Sequence, residues 1–531
     1  MASSETLVDA SRHASRRLYF LLLMLGTGAA VRLYFAWLTF LNPDEALHYF
    51  VARQPSFAAA YKASLTMAHP PLMIILLHAW SALGASEFFL RVPFVVAGLL
   101  FAWVMFLWIR HIASQAAGAF ALALCLFLPS LISLSAEIRQ YSLLLLFCAV
   151  CLYALELGVE SNSITWLAAS FAALYLALLT HYSALIFAAA VGLYGLLLLA
   201  RAGVPARTRA AWASGQLLAL TICGFLFKSQ IAPLRHSGVP SEIAGTWLRS
   251  SIFQPGHDHV FAFIAGKTVR LFRYFFAHGT IGILGLVLFL YGVWVLWRRG
   301  GSNRARAFLL IFPFVIMLAA ALLGIYPYGG TRHDVLLVIF AVGGIAIGLH
   351  GLDLQAFRIR SSAAKCMVLA LGLLICNFFP SPTGPTIRPQ NQSRRLMSEA
   401  MQFVRSRPSN EALLTDYQSG LVLSFYLCGR QTVLPFGENS DRLLRWQCGE
   451  HSVLTSLRSQ QGLNPPDLLR TIGQSWTALP NERSLWLFQS GWIEDQKQEW
   501  ITALQNAGCA DQHNFGANIR LCQISKSSGQ H

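Results

Sequence analysis

The chain has 531 residues, of which 55% are apolar and 12% are charged, and its formal net charge is +16. A soluble enzyme of this length would carry roughly twice that fraction of charged residues, so a water-soluble globule with one large core is excluded. The positive charge does not indicate nucleic acid as a partner, because the basic residues lie in short segments between apolar blocks, as in the loops of membrane proteins.

The apolar residues form blocks of about 18–22 residues, which is the length needed to cross the hydrocarbon core of a bilayer. They predict an all-α polytopic membrane protein with about eleven transmembrane helices. The first block is long and lacks a convincing cleavage site, so we expect it to remain as an anchor. The predicted spans are residues 18–40, 90–109, 113–132, 141–159, 164–181, 183–200, 210–228, 280–297, 307–325, 333–350 and 365–380.

A long loop, residues 41–89, follows the first span. Within it, the stretch from Pro70 to Leu83 is apolar but only about 14 residues long, which is too short for a span. It suits a helix that lies in the interface or a re-entrant helix. Arg32, inside the first span near its outer end, is expected to snorkel toward water.

The basic residues between the predicted spans all fall on one side of the eleven-span arrangement. Cytoplasmic loops carry an excess of Lys and Arg, so this side is the cytoplasm, and basic residues there also contact anionic lipid. The N-terminus is then cytoplasmic, whereas the loops 41–89, 132–140 and 228–280 and the C-terminal tail lie outside. The residues concerned are Arg12, Arg16, Arg17, Arg110, His111, Arg201, Arg207, Arg209, Arg298, Arg299, Arg304, Arg306, Arg358, Arg360 and Lys365.

The composition becomes polar after Pro380, which divides the chain into a transmembrane domain, 1–380, and a separate domain, 381–531. We predict that the second is a small extracytoplasmic α/β domain. Its clearest elements are two strand-like runs at 412–415 and 484–488 and an amphipathic helix at 495–507.

The proline-rich segment 380–385 is the predicted linker between the two domains. Four cysteines lie in the tail, and their spacing fits no zinc motif. If the tail is extracytoplasmic, one or two disulfides are expected there. These cysteines are Cys428, Cys448, Cys509 and Cys522.

Two adjacent carboxylates, Asp44 and Glu45, directly follow the first apolar block. Charges at a membrane boundary are costly to place beside lipid, so this pair is a candidate site. The alternative is a solvated pair at the end of a helix. Asp44 can act as a general base toward a hydroxyl group within hydrogen-bond reach.

Further polar clusters lie near the predicted outer ends of the spans, whereas the inner loops hold little beyond Arg, Gly, Ser and Ala. Solvated loops of random content would scatter such clusters over both faces. The asymmetry therefore predicts an extracytoplasmic active site. The residues in these clusters are His69, Glu137, Arg139, Tyr141, His181, Tyr328, Arg332 and His333.

Each of these residues has a plain chemical use. Arg139 and Arg332 offer bidentate donors to a phosphate. Glu45 or Glu137 could hold a divalent cation, since hard cations take carboxylate oxygens. His69 could bind substrate or a metal.

Structural alternatives are open for four of the same residues. His69 could simply precede the prolines that begin the short helix. Glu137 and Arg139 could simply pair with each other, and a structural role is favoured for His181 at the end of a span. The sequence by itself leaves these alternatives undecided.

The chain resembles the GT-C glycosyltransferases of the protein mannosyltransferase and aminoarabinose transferase type over about residues 1–350. The resemblance rests on motifs that begin with Arg32-Leu33-Tyr34 and Asn42-Pro43-Asp44-Glu45. The longer motifs are His69-Pro70-Pro71-Leu72 continuing from Gly84 through Pro93 to Leu100, Ser135 to Tyr141, and Tyr326-Pro327 to Arg332-His333.

This resemblance implies a polyprenyl-phosphate-linked sugar as donor and inversion at the anomeric carbon. The sugar would pass to a hydroxyl of a glycolipid, a glycan or a protein on the periplasmic face of a bacterial inner membrane. Asp44 would be the catalytic base with Glu45 as its neighbour, and Glu137 and Arg139 would bind donor phosphate or a metal. Asp44 and Glu137 are the candidate ligands for Mg²⁺, Mn²⁺ or Zn²⁺.

The chain departs from the family at Ala68-His69, where aminoarabinose transferases have Glu-Lys ahead of the two prolines. This change removes one possible metal ligand and argues against aminoarabinose as the sugar. The competing functional hypothesis is a transporter or flippase of lipid-linked sugars. A transporter would show paired inverted repeats and ionisable residues near the bilayer midplane, whereas this chain places its charges at one face.

Overall fold

The computed structural model describes two compact units. One combines Met1–Tyr34 with Arg91–Thr386 and is here called the helical unit; the other combines Phe35–Leu90 with Ile387–His531 and is called the sheet unit. The sheet unit therefore joins the whole of the first predicted loop to the tail. The described residues are 2–201, 203–236, 248–352, 362–379, 393–408, 411–438, 440–458, 465–479, 484–491, 498–516 and 518–525.

The helical unit consists of long helices with short connections. Phe227–Ile231 forms a π-helical turn, and Arg249–Ser251 and Arg332–Leu337 form 3₁₀ helices. The α-helices that lie wholly or mostly in this unit are Ala2–Leu38, Glu87–Ile112, Gln115–Phe127, Pro129–Ser135, Tyr141–Glu160, Ile164–Leu178, Ala184–Leu199, Ala206–Leu226, Ala232–His236, Val260–Phe276, Gly279–Arg299, Ser302–Leu322, Val338–Gly351 and Ser362–Phe378.

Among the described residues, seven helices are long and apolar enough to cross a membrane, or eight if one bent pair forms a single span. The predicted class, a polytopic helical membrane protein, is confirmed. Every predicted span overlaps an apolar helix, but Ile164–Leu178, Ala184–Leu199 and Ala363–Phe378 are shorter than a typical span. The total of eleven spans therefore stays a prediction.

The bent pair consists of Gln115–Phe127 and Pro129–Ser135, which meet at an angle of 57°. Pro129 has no amide hydrogen to donate, so the helix breaks before it and restarts with Pro129 in its first turn. The break leaves the carbonyl of Cys125 without its usual helical donor, since that donor would be residue 129.

Arg32 supplies the missing donors at this break. Its guanidinium nitrogens donate to the carbonyls of Cys125 and Leu126, each at 2.7 Å, and to that of Gly28 at 3.2 Å. Arg32 is 1% exposed. The expectation that it snorkels is wrong, because unpaired carbonyls at a helix end offer the guanidinium enough partners away from water.

A second buried cluster joins four helices of the helical unit. Arg306 donates to Glu156 through Nε at 3.2 Å and Nη2 at 3.0 Å, and to Glu160 at 2.9 Å. The hydroxyl of Tyr194 also donates to Glu156, and His111 pairs with Glu160 at 2.9 Å. Glu156 is 1% exposed, so the cluster holds a carboxylate deep within the helices.

The sheet unit contains a six-stranded mixed sheet in the order β2-β3-β1-β4-β6-β5. Strand β1 runs parallel to β3 and β4, and the other neighbours are antiparallel. The strands are β1 Ala412–Thr415, β2 Leu443–Cys448, β3 His451–Ser456, β4 Ser484–Ser490, β5 Cys509–Asn514 and β6 Ile519–Ser525; the helices are Pro43–Ala52, Phe57–Ser64, Leu72–Ser81, Arg394–Arg405, Tyr417–Tyr426, Pro465–Ala478 and Gln498–Asn506.

The sequence correctly places several elements of this unit. The runs 412–415 and 484–488 form β1 and β4, the amphipathic segment forms the helix Gln498–Asn506, and the short apolar stretch forms the helix Leu72–Ser81. Residues 380–385 of the predicted linker and 495–497 of the predicted helix lie outside the described residues.

The four cysteines of the tail form two disulfides, Cys428–Cys448 and Cys509–Cys522, as expected for an extracytoplasmic domain.

Segment 35–90 is held within the sheet unit by Tyr426. The hydroxyl of Tyr426 accepts a hydrogen bond from the amide of Leu41 at 2.7 Å and donates to the carboxylate of Glu87. The ring of Tyr49 packs edge-on against Phe425, with centroids 5.1 Å apart. These contacts fix the helix that begins at Pro43, which carries the candidate base.

The Glu156 cluster generates a prediction about stability. Replacing Arg306 with Met leaves the buried carboxylate of Glu156 without its cationic partner. We expect this to lower the free energy of unfolding by roughly 3–5 kcal/mol. The double variant Arg306→Met with Glu156→Leu should be more stable than Arg306→Met alone, because no buried charge is left unpaired. Thermal unfolding midpoints of the variants in detergent measure this order of stability, with the exposed Arg304→Met as control. A double variant less stable than Arg306→Met alone would contradict the prediction.

Candidate functional site

The helix Pro43–Ala52 begins with a capping box that orders the acidic pair. The side chain of Asn42 accepts from the amide of Glu45, and the carboxylate of Glu45 accepts from the amide of Asn42, both at 3.0 Å. Pro43 occupies the first helical position, where its missing amide hydrogen is harmless. The spacing Asn-x-x-Glu is a readable helix-start signal that the sequence reasoning passed over.

The capping box separates the two carboxylates by role. Glu45 is 1% exposed and engaged with the helix start, whereas Asp44 is partly exposed in the first turn. The positive end of the helix dipole stabilises negative charge at this position. Asp44 is therefore placed to present a carboxylate, and the catalytic role of Glu45 stays a prediction.

His48 lies one helical turn beyond Asp44 and pairs with His69. Their Nε2 atoms are 3.1 Å apart, and the two side chains are 3% and 5% exposed. Burial, followed by the proximity of His48, lowers the pKa of His69 to about 3, so His69 is neutral at physiological pH. His48 is a residue that the sequence reasoning missed, although its spacing from Asp44 on a helix was readable.

In the helical unit, the structure brings Glu137, Arg139 and Arg332 together. The Nε of Arg139 lies 3.7 Å from Oε2 of Glu137, so the two do pair, and both side chains are buried. Burial, followed by the positive charge of Arg332, lowers the pKa of Arg139. Arg332 is partly exposed, so the structure places one buried and one partly exposed guanidinium group near each other.

Aromatic and imidazole side chains surround these arginines. The ring of Tyr141 lies 5.4 Å from that of His181, and His181 lies 6.3 Å from His333, measured between centroids. Burial, followed by the neighbouring Tyr141, raises the pKa of Tyr274, which keeps its phenol protonated as a hydrogen-bond donor. Tyr274 was not predicted, because its helix shows only an amphipathic pattern in sequence.

The turn before Arg332 is held by Asp334. One carboxylate oxygen of Asp334 accepts the amide hydrogens of Gly329, Gly330 and Thr331 at 3.1, 2.9 and 2.9 Å. Gly329 and Gly330 have φ of +118° and +90°, which only glycine adopts easily. Their backbone conformation thus depends on the buried carboxylate.

Tyr328 lies next to this turn but faces the helix Val260–Phe276. Its hydroxyl shares a hydrogen bond with Thr268 at 2.9 Å, and the residue is 1% exposed. Its predicted role in substrate binding stays a prediction.

The predicted site residues thus form two groups. Glu137, Arg139, Tyr141, Arg332 and His333 converge in the helical unit, and Asp44, Glu45 and His69 belong to the sheet unit. Within the described ranges, no group of three or more His, Cys, Asp or Glu side chains is arranged to hold a metal ion. Asp44 and Glu137 as ligands of a divalent cation stay a prediction.

The comparisons with known proteins agree with this architecture. Residues 68–226 match the family of dolichyl-phosphate-mannose-protein mannosyltransferases. No curated protein is significantly similar to the sequence.

Three solved structures are similar to this chain, and the two of ArnT carry the comparison of the fold. ArnT from Cupriavidus metallidurans in the apo state has 16% identity and a TM-score of 0.58, covering 96% of this chain and 98% of that one. ArnT bound to undecaprenyl phosphate has 15% identity and a TM-score of 0.57, covering 96% and 99%. The Archaeoglobus fulgidus oligosaccharyltransferase in complex with Zn and sulfate has 9% identity and a TM-score of 0.49, covering 90% and 69%.

The chain is therefore a multi-pass membrane protein with the GT-C fold, the fold of a class of membrane glycosyltransferases. The resemblance predicted from its motifs is confirmed. Its residues 68–226 match the mannosyltransferase family model, and almost its full length follows the fold of ArnT.

Gly330 provides a test of the turn that carries Arg332. A Cβ at this position would lie 2.7 Å from the carbonyl oxygen of Arg270, in addition to the strain of its φ. We expect Gly330→Ala to lower the free energy of unfolding by about 1–3 kcal/mol more than the unfavourable φ of alanine alone would. Gly324→Ala is the matched control, because it has φ of +72° and no atom within 4 Å of its Cβ. Equal unfolding midpoints of the two variants would contradict the packing described here.

Proposed function

We propose that the protein transfers a sugar from a polyprenyl-phosphate donor to an acceptor hydroxyl, with inversion at the anomeric carbon. The reaction takes place on the periplasmic face of a bacterial inner membrane, with the N-terminus in the cytoplasm and the C-terminal domain in the periplasm. The GT-C fold supports a glycosyltransferase, and the ArnT structure with undecaprenyl phosphate supports a polyprenyl-phosphate donor. The comparisons lend no support to the transporter alternative.

The observation that carries this proposal is the pair Arg139 and Arg332. Arg139 is buried, and the positive charge of Arg332 lowers its pKa further, so each guanidinium group destabilises the other. A phosphate between such groups turns this repulsion into attraction, and guanidinium is suited to bidentate phosphate contacts. The same contacts strengthen as the phosphate gains charge on leaving, which favours the transition state over the ground state.

The chemical step needs one base. The acceptor hydroxyl gives its proton to the carboxylate of Asp44 while its oxygen forms a bond to the anomeric carbon. The bond between that carbon and the phosphate oxygen breaks, and its electron pair leaves with the polyprenyl phosphate. No acid is required, because the leaving phosphate is a stable anion held by the arginines.

The other residues take supporting roles in this proposal. The protonated phenol of Tyr274 can donate a hydrogen bond to a phosphate or sugar oxygen, and Tyr141 and His333 line the same cluster. Glu45 orders the helix that carries Asp44 through the capping box. The acceptor is a hydroxyl of a glycolipid, a glycan or a protein.

Replacing Asp44 with Asn removes the base and retains the shape of the side chain. We expect transfer to fall by about 10²–10⁴-fold with the fold intact. In a strain that lacks the protein, lipid-linked sugar extracted and quantified by mass spectrometry should accumulate when Asp44→Asn is supplied, as it does without any copy.

The control for this experiment is Asp258→Asn, whose carboxylate is exposed and caps a surface turn. It should restore normal levels of the lipid-linked sugar. Equal amounts of folded protein are checked by size-exclusion chromatography. Normal consumption of the donor by Asp44→Asn would show that Asp44 is not the base.

The donor site is tested by direct binding. Arg139→Gln and Arg332→Gln should each weaken binding of undecaprenyl phosphate by roughly 10- to 100-fold, since each removes a charged hydrogen-bond donor. Native mass spectrometry of the purified variants measures the affinity, with the exposed Arg298→Gln as control. Undecaprenol, which lacks the phosphate, should bind all variants alike; an equal loss for both lipids would contradict a phosphate contact.

A further inference from the structure

A buried glutamine lies in the π-helical turn of the helical unit. The turn, Phe227–Ile231, joins the α-helices Ala206–Leu226 and Ala232–His236 into one apolar span of 31 residues. Most side chains of this span are at least partly exposed, as expected for a helix in contact with lipid, whereas Gln230 is 4% exposed. π-helical turns recur at functional sites, and a buried polar side chain within a membrane span is a candidate for one.

Gln230 uses only part of its hydrogen-bonding capacity. The hydroxyl of Tyr182 donates to its Oε1 at 3.1 Å, whereas the Nε2 of the same amide is buried and has no partner within the described ranges. Turning the amide by 180° exchanges the two atoms but still leaves one of them unpaired. An unpaired buried polar atom lowers stability, so its presence needs a reason other than the fold.

Gln140 has the same property at the start of another helix. It is 4% exposed, its Oε1 has no partner in the described part of the chain, and its side chain does not cap the helix that follows. The ring of Tyr141, the next residue, lies 5.4 Å from that of His181. Tyr182, the partner of Gln230, directly follows His181. Both glutamines therefore adjoin one group of rings.

The two amides suit hydroxyl groups better than a phosphate. A carbonyl oxygen such as Oε1 of Gln140 only accepts hydrogen bonds, and the oxygens of an ionised phosphate diester also only accept them. A sugar hydroxyl both donates and accepts, so it can pair with the carbonyl oxygen of Gln140 and with the amide nitrogen of Gln230. Neither side chain is charged, which matches the uncharged hydroxyl groups of a sugar.

We propose that Gln140 and Gln230 bind hydroxyl groups of the donor sugar, with Tyr182 positioning the amide of Gln230. The proposal rests on the function proposed above and assigns a sugar subsite to it. Gln140 directly follows Arg139, a proposed phosphate ligand, and the donor sugar is attached to that phosphate. The two parts of the donor therefore meet neighbouring residues of this chain, and the subsite favours a sugar with free hydroxyl groups.

Direct binding tests the subsite with two lipids that differ in the sugar. One is undecaprenyl phosphate, and the other is the lipid-linked sugar purified from the strain that lacks the protein. The full-length protein in detergent is titrated with each lipid, and native mass spectrometry measures the affinity. Gln140→Met and Gln230→Met should each weaken binding of the sugar-linked lipid by about 5- to 30-fold, the effect of one lost buried hydrogen bond, and leave undecaprenyl phosphate unaffected.

Gln216→Met is the matched control. Gln216 lies on the same span, about 21 Å along the helix from Gln230, and its Nε2 is also unpaired. The control should bind both lipids as the wild type does. Wild-type affinity of Gln140→Met and Gln230→Met for the sugar-linked lipid would overturn the proposal, and so would an equal loss in all three variants or an equal loss for undecaprenyl phosphate.

Stability separates a substrate contact from a structural role. Because Oε1 of Gln140 is buried without a partner among the described residues, an apolar side chain of similar length removes an unfavourable group. We expect Gln140→Met to leave the thermal unfolding midpoint unchanged or to raise it while sugar binding is lost. A midpoint lowered by several degrees would show that Gln140 supports the fold and would contradict its assignment to the substrate.

Failure of this subsite and failure of the proposed function are distinguishable. If the protein does not transfer sugar, no lipid-linked sugar accumulates in the strain that lacks it, and the subsite is refuted together with the function. If only the subsite is wrong, that lipid accumulates and the two variants bind it as the wild type does.

Discussion

The cost of placing a charged or polar group away from water is the constraint on which this structure depends. Apolar contact alone does not orient helices in a membrane, because lipid tails are as apolar as the helix surfaces. A buried charge does orient them, since it must find partners at fixed geometry. Arg32 meets the carbonyls that Pro129 leaves unpaired, and Glu156 meets Arg306 and Tyr194. These pairs tie helices that are distant in sequence.

The same constraint shapes the candidate donor site. Arg139 and Arg332 are like charges held near one another, and the turn before Arg332 keeps its strained glycines because the carboxylate of Asp334 collects three amide hydrogens. The carboxylate of Glu137 pairs with Arg139, and we propose that an anionic substrate group binds beside the same two arginines. In the proposed reaction that anion is the phosphate, whose charge grows as the sugar departs.

One short helix concentrates the chemistry of the sheet unit. The helix Pro43–Ala52 carries Asp44 in its first turn and His48 one turn later, while its capping box occupies Glu45. The contacts of Tyr426 with Leu41 and Glu87 hold this region against the C-terminal part of the same unit. The tail therefore acts as a support for the helix that bears the proposed base.

Much of the fold was readable from local pattern. The length of the apolar runs predicts the helices, the strand-like run at 412–415 is β1, and the four cysteines of the tail pair as disulfides. The clusters around Glu137 and Arg332 were also visible, because polar residues stand out against apolar spans. Each of these signals is contained within a few neighbouring residues, or in composition alone.

Other features depend on contacts between distant segments, and only the tertiary structure decided them. Glu156 and Arg306 are separated by 150 positions, and the sequence pattern of neither helix predicts that they pair. Tyr274 and His48 become parts of clusters only when their helices are placed beside other segments, and Arg32 is buried only because Pro129 breaks a helix elsewhere in the chain. The sequence pattern shows which face of a helix or strand is buried. Which residues that face contacts is determined only by the packing of the folded chain.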